Sequence, residues 1–148
     1  MLRPAALALV LAVTACSTPV GGVSAPSGTG QIPSTPLDLG NWRASSEGAT
    51  LSAFRRGVSA RYAQGAAINT VTADLRRSQF NCGAAPPAMA DNRGVLPVQV
   101  CRRIIRAAGC THTWQVHLFD RMGDRRLAST RGLYDRSCGD EGLLGGPG

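Results

Sequence analysis

Four cysteines, Cys82, Cys101, Cys110 and Cys138, and two histidines, His112 and His117, are the residues of this chain best suited to bind a metal or attack an electrophile. No two of the cysteines have the C-x-x-C spacing that zinc ribbons and thiol-redox centres use. His112 and His117 lie five apart on one predicted strand and so point to opposite faces, which prevents them from sharing a metal. A hydrolytic triad needs a positioned nucleophile beside a histidine and a carboxylate, and G-x-S-x-G, P-loop and G-x-G-x-x-G patterns are absent. Asp120 and Asp124 flank a predicted turn together with Arg121, Arg125 and Arg126, an arrangement that reads as turn chemistry and surface ion pairs rather than a glycosidase pair. The sequence therefore nominates no catalytic residue, no metal and no cofactor, and a small hydrolase ranks third among the functional readings.

The remaining chemistry is guanidinium chemistry. All sixteen basic residues are arginine, and the formal net charge is +7. Arg102, Arg103 and Arg106 fall on the first predicted strand, and Arg125, Arg126 and Arg131 fall near the third. Gathered at one end of a sheet, they would form a surface for anionic lipid or for an acidic protein. Strict alternation sends Arg102 and Arg103 to opposite faces, and a merely solvated surface is an equal alternative. Nucleic acid is disfavoured, because the arginines lack interleaved aromatic residues and the chain carries an export signal.

That signal opens the sequence. Arg3 precedes an apolar run from Pro4 to Ala12, then small residues, the pattern of a secretory leader. The run is too short to span a bilayer as a helix, which takes about 20 residues. Val13-Thr14-Ala15-Cys16 resembles a lipobox, and an ordinary secretory cleavage site is the alternative. The lipobox reading makes residues 1–15 the signal peptide and Cys16 a lipidated first residue. Residues 16–36, rich in Gly, Ser, Thr and Pro and free of charge, form a flexible linker. Residues 37–138 are one domain, and the glycine-rich residues 139–148 are a tail. In its resemblance to lipoproteins sorted by the enterobacterial rule, Ser17 rather than Asp after the cysteine implies the outer membrane, facing the periplasm, where the cell has one. The expected partners are the membrane, through lipid on Cys16, and an unidentified envelope protein or anionic lipid surface.

The elements that must position these residues follow from periodicity. Leu51, Phe54, Val58 and Tyr62 recur at helical spacing. They predict a helix over about 50–64, with Thr50 as N-cap and Gly65 as stop. A second helix, capped by Asn69 or Thr70 and ending near Gln79, carries Val71 and Leu75 one turn apart. The pattern then alternates: residues 96–106, 110–119 and 126–134 read as three strands, with His112, Trp114, Val116 and Leu118 on one face, and Leu127 and Leu133 facing one way. The expectation is an α+β domain of two helices on a three-stranded antiparallel meander, ααβββ. With Cys16 assigned to lipid, an even set of four cysteines in an exported domain predicts two disulfides. A turn near Ala108 places Cys101 opposite the region of Gln115, far from Cys110, and a second turn around Met122 brings Cys110 to the end of the third strand, where Cys138 lies. The pairing 82–101 and 110–138 follows, with Cys82 pinning the helical layer to the sheet.

Lipobox, polar linker, two helices and a disulfide-bearing meander together resemble small envelope lipoproteins of the SmpA/OmlA (BamE-like) type. The local resemblance is Gly65-Ala66-Ala67-Ile68-Asn69-Thr70-Val71-Thr72-Ala73-Asp74-Leu75. It implies an ααβββ domain that supports outer-membrane protein assembly or envelope integrity. This chain departs from that pattern in having Arg76-Arg77-Ser78-Gln79-Phe80 where the family has Gly-Pro after the helix, and in its four cysteines. The elements are similar also to secreted proteinaceous enzyme inhibitors. Both resemblances imply binding rather than catalysis. An inhibitor-like or anion-binding module is the alternative to an envelope protein.

Overall fold

A computed structural model describes residues 31–86, 94–120 and 122–139. Two helices, α1 (Glu47–Arg61) and α2 (Ile68–Arg77), precede four strands, β1 (Asn81–Gly83), β2 (Gln99–Ala107), β3 (Cys110–Phe119) and β4 (Ser129–Cys138). The strands form one antiparallel sheet in the order β1-β2-β3-β4. The α+β architecture is as expected, with four strands in place of three. Residues 1–30, and with them Cys16, lie outside the described residues, as do most of the expected tail, residues 140–148, and Arg121.

Helix α1 begins earlier than its apolar spacing suggests, because Ser46, not Thr50, is the N-cap. The Ser46 hydroxyl accepts from the Ala49 amide at 3.3 Å. Thr50 is buried inside the helix and donates its hydroxyl to the Ser46 carbonyl at 3.0 Å. The helix stops before Gly65 because the chain from Gly65 to Ile68 is held against residues 125–127. Gly65 donates to the Leu127 carbonyl at 2.7 Å, Leu127 to Ala66 at 2.8 Å, and Ile68 to Arg125 at 3.0 Å. Helix α2 starts at Ile68 without a side-chain cap, since the Asn69 side chain accepts instead from the Thr70 amide beside it.

The core lies between the helices and one face of the sheet. Phe54 and Val58 of α1, Val71 and Leu75 of α2, and Cys101, Trp114, Val116 and Leu118 of the sheet are all buried in it. Each large apolar side chain so buried contributes roughly 1.5–3 kcal/mol. Close approach of α1 to β4 depends on Gly132. A Cβ there would stand 3.2 Å from Phe54 Cδ1 and 3.3 Å from Phe54 Cε1. Trp42 is also core: its ring meets Trp114 at 5.5 Å and His112 at 4.6 Å. Leu127 joins this core ahead of β4, whereas Leu133 pairs with Gln115 and occupies the opposite face, so these two leucines do not face one way.

A buried polar cluster ties the two helices together. Asp74, 2 % exposed, accepts from Arg61 Nε at 2.7 Å and Nη2 at 3.0 Å, from Tyr62 Oη at 2.7 Å, and from Arg77 Nη2 at 2.8 Å. Arg61 Nη2 also donates to the carbonyls of Pro33 and Thr35, both at 2.7 Å, so the segment leading into the domain is held by the same guanidinium. Burial pushes the Asp74 carboxyl upward, but the hydrogen bonds from Arg61, Tyr62 and Arg77 outweigh it and hold the group below its ordinary range. Burial and the bond to Asp74 push the Tyr62 hydroxyl far up.

Both expected disulfides are present, Cys82–Cys101 and Cys110–Cys138. Each joins directly opposite residues of neighbouring strands, with Cα atoms 3.9 and 4.0 Å apart. Cys82 therefore does not pin the helical layer to the sheet. It stands on β1, an edge strand of three residues too short to show any period, and the bond lies within the sheet.

Candidate binding surface

The hairpin between β2 and β3 closes Ala107 onto Cys110 through Ala108 and Gly109, whose φ angles are 52° and 76°. This is the geometry of the tight turn whose twist suits paired strands. It sets the register of everything on β2. Arg102 stands opposite Gln115, Arg103 opposite Trp114, and Arg106 opposite Thr111. Alternation then places Arg102, Ile104 and Arg106 on the face away from the helices, and Arg103 on the helix side.

The six arginines singled out from the sequence are not brought into one cluster. Arg102, Arg106 and Arg131 share the face away from the helices, with Arg131 opposite His117 on the far side of β3. Arg103 folds back toward α2 and donates to the Ser78 carbonyl at 2.9 Å and to Gln79 Oε1 at 2.7 Å. Arg125 and Arg126 lie beyond the other end of the sheet. The Arg125 carbonyl receives the Ile68 amide, and Arg126 donates to the Gly65 carbonyl at 3.0 Å. Asp120 organises that loop by accepting from the amides of Met122, Gly123 and Arg125. Among the described residues the only ion pairs are those of Asp74 with Arg61 and Arg77, so Arg102, Arg106 and Arg131 have no carboxylate partner.

A cleft of about 510 Å³ runs beside Arg102 and Arg103, with Gln79, Asn81, Val100 and Ile104 among its walls. Among the described residues, none that lines it is acidic. Ile104 is 50 % exposed at its margin. Gln79 and Asn81 give no signal in the sequence, because what places them here is the positive φ of Gln79, 67°, which turns the chain from α2 into β1.

A second cavity of about 340 Å³ opens at the hairpin end of the sheet, lined by Trp42, Arg43, Ala107, Ala108, Cys110, His112 and Arg136. His112 Nδ1 meets Tyr134 Oη at 2.7 Å, and the Arg43 guanidinium lies 4.2 Å over the Trp42 ring. Burial, with Arg136 and Arg43 nearby, holds the His112 imidazole below its ordinary range. His112 is thus a packed, hydrogen-bonded histidine. His117, on the other face, is 4 % exposed, with Nδ1 unpartnered among the described residues and Nε2 3.4 Å from Gln115 Oε1.

Among the described residues, no three His, Cys, Asp or Glu side chains converge as a metal site requires, and no helix is long and apolar enough to cross a membrane. Compared with protein-family models, curated proteins and solved structures, this chain matches none of them.

Proposed function

We propose that this chain is a non-enzymatic, lipid-anchored protein of the cell envelope, held through Cys16 and binding a protein partner in support of outer-membrane or envelope integrity. The observation that carries the binding reading is the cleft at β2, where, among the described residues, Arg102 and Arg103 stand without a carboxylate beside a half-exposed Ile104. Two disulfides fit an oxidising compartment, and the leader-like N-terminus ending in Val13-Thr14-Ala15-Cys16 supplies the anchor. Two or three acyl chains on Cys16 hold a protein stably on a bilayer, at about 0.8 kcal/mol per buried methylene.

Co-purification from detergent-solubilised membranes tests this reading. A stoichiometric partner protein is expected with the parent chain, and Cys16→Ser is expected to leave the membrane fraction. A Cys16→Ser chain that remains membrane-bound in equal amount overturns the anchor. A parent chain that emerges alone overturns the partner. A second reading, an anion-binding module, is favoured by the cavity at Trp42, where Arg43, His112 and Arg136 line an aromatic-walled space of about 340 Å³. Quenching of Trp42 fluorescence by a small carboxylate, lost in Arg136→Gln, is its expected signature.

A further inference from the structure

The sheet has an unfinished edge. β1 pairs only with Val100, Cys101 and Arg102 of β2, although β2 continues to Ala107. The close Cα approach of Cys82 and Cys101 marks theirs as a non-hydrogen-bonded pair, so Arg102 exchanges its backbone bonds with Asn81 of β1. The same alternation turns the N–H and C=O of Ile104 and Arg106 toward the same side, beyond the end of β1. No hydrogen bond from elsewhere in the described chain reaches them. An exposed row of donors and acceptors is a template for another strand. The free stretch 103–107 is roughly 13 Å long at ~3.3 Å per residue, room for about four residues of an extended chain.

Charge decides which chain. Arg102 and Arg106 flank Ile104 on one face, Arg103 lies on the other with its guanidinium against Ser78 and Gln79, and among the described residues the neighbouring cleft has no acidic wall. A second copy of this protein paired edge to edge would bring the same three arginines against their counterparts, a like-charge juxtaposition. A basic or neutral strand would leave them uncompensated. We propose that residues 103–107 of β2 receive an extended acidic segment of another protein as an added strand, bonded to the backbone of Ile104 and Arg106 and bracketed by Arg102, Arg103 and Arg106. This rests on the partner-binding reading above and names the chemistry of the partner. Strand addition supplies affinity through the main chain and selectivity through alternate side chains.

The test uses the disulfide-intact chain and fluorescein-labelled hexapeptides of alternating Glu and Val, read by anisotropy at low and high salt. The acidic peptide is expected to bind, a Lys-for-Glu peptide is not, and salt is expected to weaken binding. Ile104→Pro removes an outward N–H that no native bond uses, so an edge strand tolerates it. It is expected to weaken the acidic peptide on the order of tenfold. An acidic peptide N-methylated at alternate amides probes the same bonds with the protein untouched, and is expected to lose binding in one of its two registers. The proposal is overturned if Ile104→Pro and both N-methylated peptides bind like their parents, if the Lys peptide binds equally, or if sedimentation shows the edge occupied by a second copy. In membranes, a partner retained equally by parent and Ile104→Pro overturns the edge while keeping the partner. Peptide binding without any co-purifying protein does the reverse.

Discussion

Replacing Asp74 with alanine would remove one carboxylate and strand three donors. The Arg61 side chain is 8 % exposed and Asp74 2 %, so both charges have been taken out of water, and each is tolerated there because the other is present. Removing one member of such a pair costs about 3–5 kcal/mol, because the remaining charge stays buried. Arg77 adds little to this figure, being 65 % exposed. The Tyr62 hydroxyl, also left without its acceptor, places the expectation in the upper half of the range. For a domain of this size, about 3–5 kcal/mol lowers Tm on the order of 15–30 °C. Urea unfolding of Asp74→Ala with both disulfides intact measures it, and Asp74→Asn, which keeps an acceptor for Arg61, should fall between the two. The parent should also lose stability in acid. The folded carboxyl titrates below its unfolded value, so its stabilisation is full above about pH 4 and vanishes as pH falls through the folded pKa. Asp74→Asn should flatten that part of the profile. A loss under about 1 kcal/mol for Asp74→Ala, or an acid limb unchanged in Asp74→Asn, would refute the reasoning.

Other substitutions probe the frame around the binding edge. Ala108 occupies a left-handed turn position at φ 52°, a conformation that costs a non-glycine residue roughly 1–2 kcal/mol. Ala108→Asn, which creates the favoured Asn-Gly turn, should raise the urea midpoint, and a fall would show that the turn differs. Gly132→Ala pushes a methyl to within 3.3 Å of the Phe54 ring and should cost about 1–3 kcal/mol in the same assay. Proton NMR should find His112 titrating below the usual histidine range. Its contribution to stability is then full above about pH 6.5 and declines as pH falls, and a normal midpoint would contradict its burial with Arg43 and Arg136.

Periodicity made most of the frame legible. Phe54, Val58, Tyr62, Val71 and Leu75 announced two helical faces, and His112, Trp114, Val116 and Leu118 announced one face of β3. What it could not reveal was set by contacts distant in sequence. Helix α1 ends where residues 65–68 are drawn to residues 125–127, so Gly65 punctuates a bridge rather than a helix. The three residues of β1 are too few to alternate, and their pairing exists because Cys101 holds Cys82 opposite it. Asp74 looked like one polar residue on a helix; Arg61 and Tyr62 reach it only once α1 and α2 pack. The arginines were legible as a surplus but not as a site. Whether Arg103 serves α2 or a partner depends on Gln79 turning back beside it, and the unpaired edge depends on where β1 stops.

The two disulfides occupy diagonally opposite corners of the sheet, one at the start of β2 and one where β4 ends beside the β2–β3 turn. Sliding any strand by a single residue would carry its whole inward set to the wrong face. Covalent staples at two corners oppose that slip in shear, β1 against β2 and β4 against β3, while β3 is kept from moving along β2 by the tight turn and the ladder it closes, with no covalent cross-link. A pull on an added strand along the edge of β2 would therefore be met by a sheet whose outer strands cannot creep, with the hairpin at Ala108 and Gly109 as its one uncrosslinked joint.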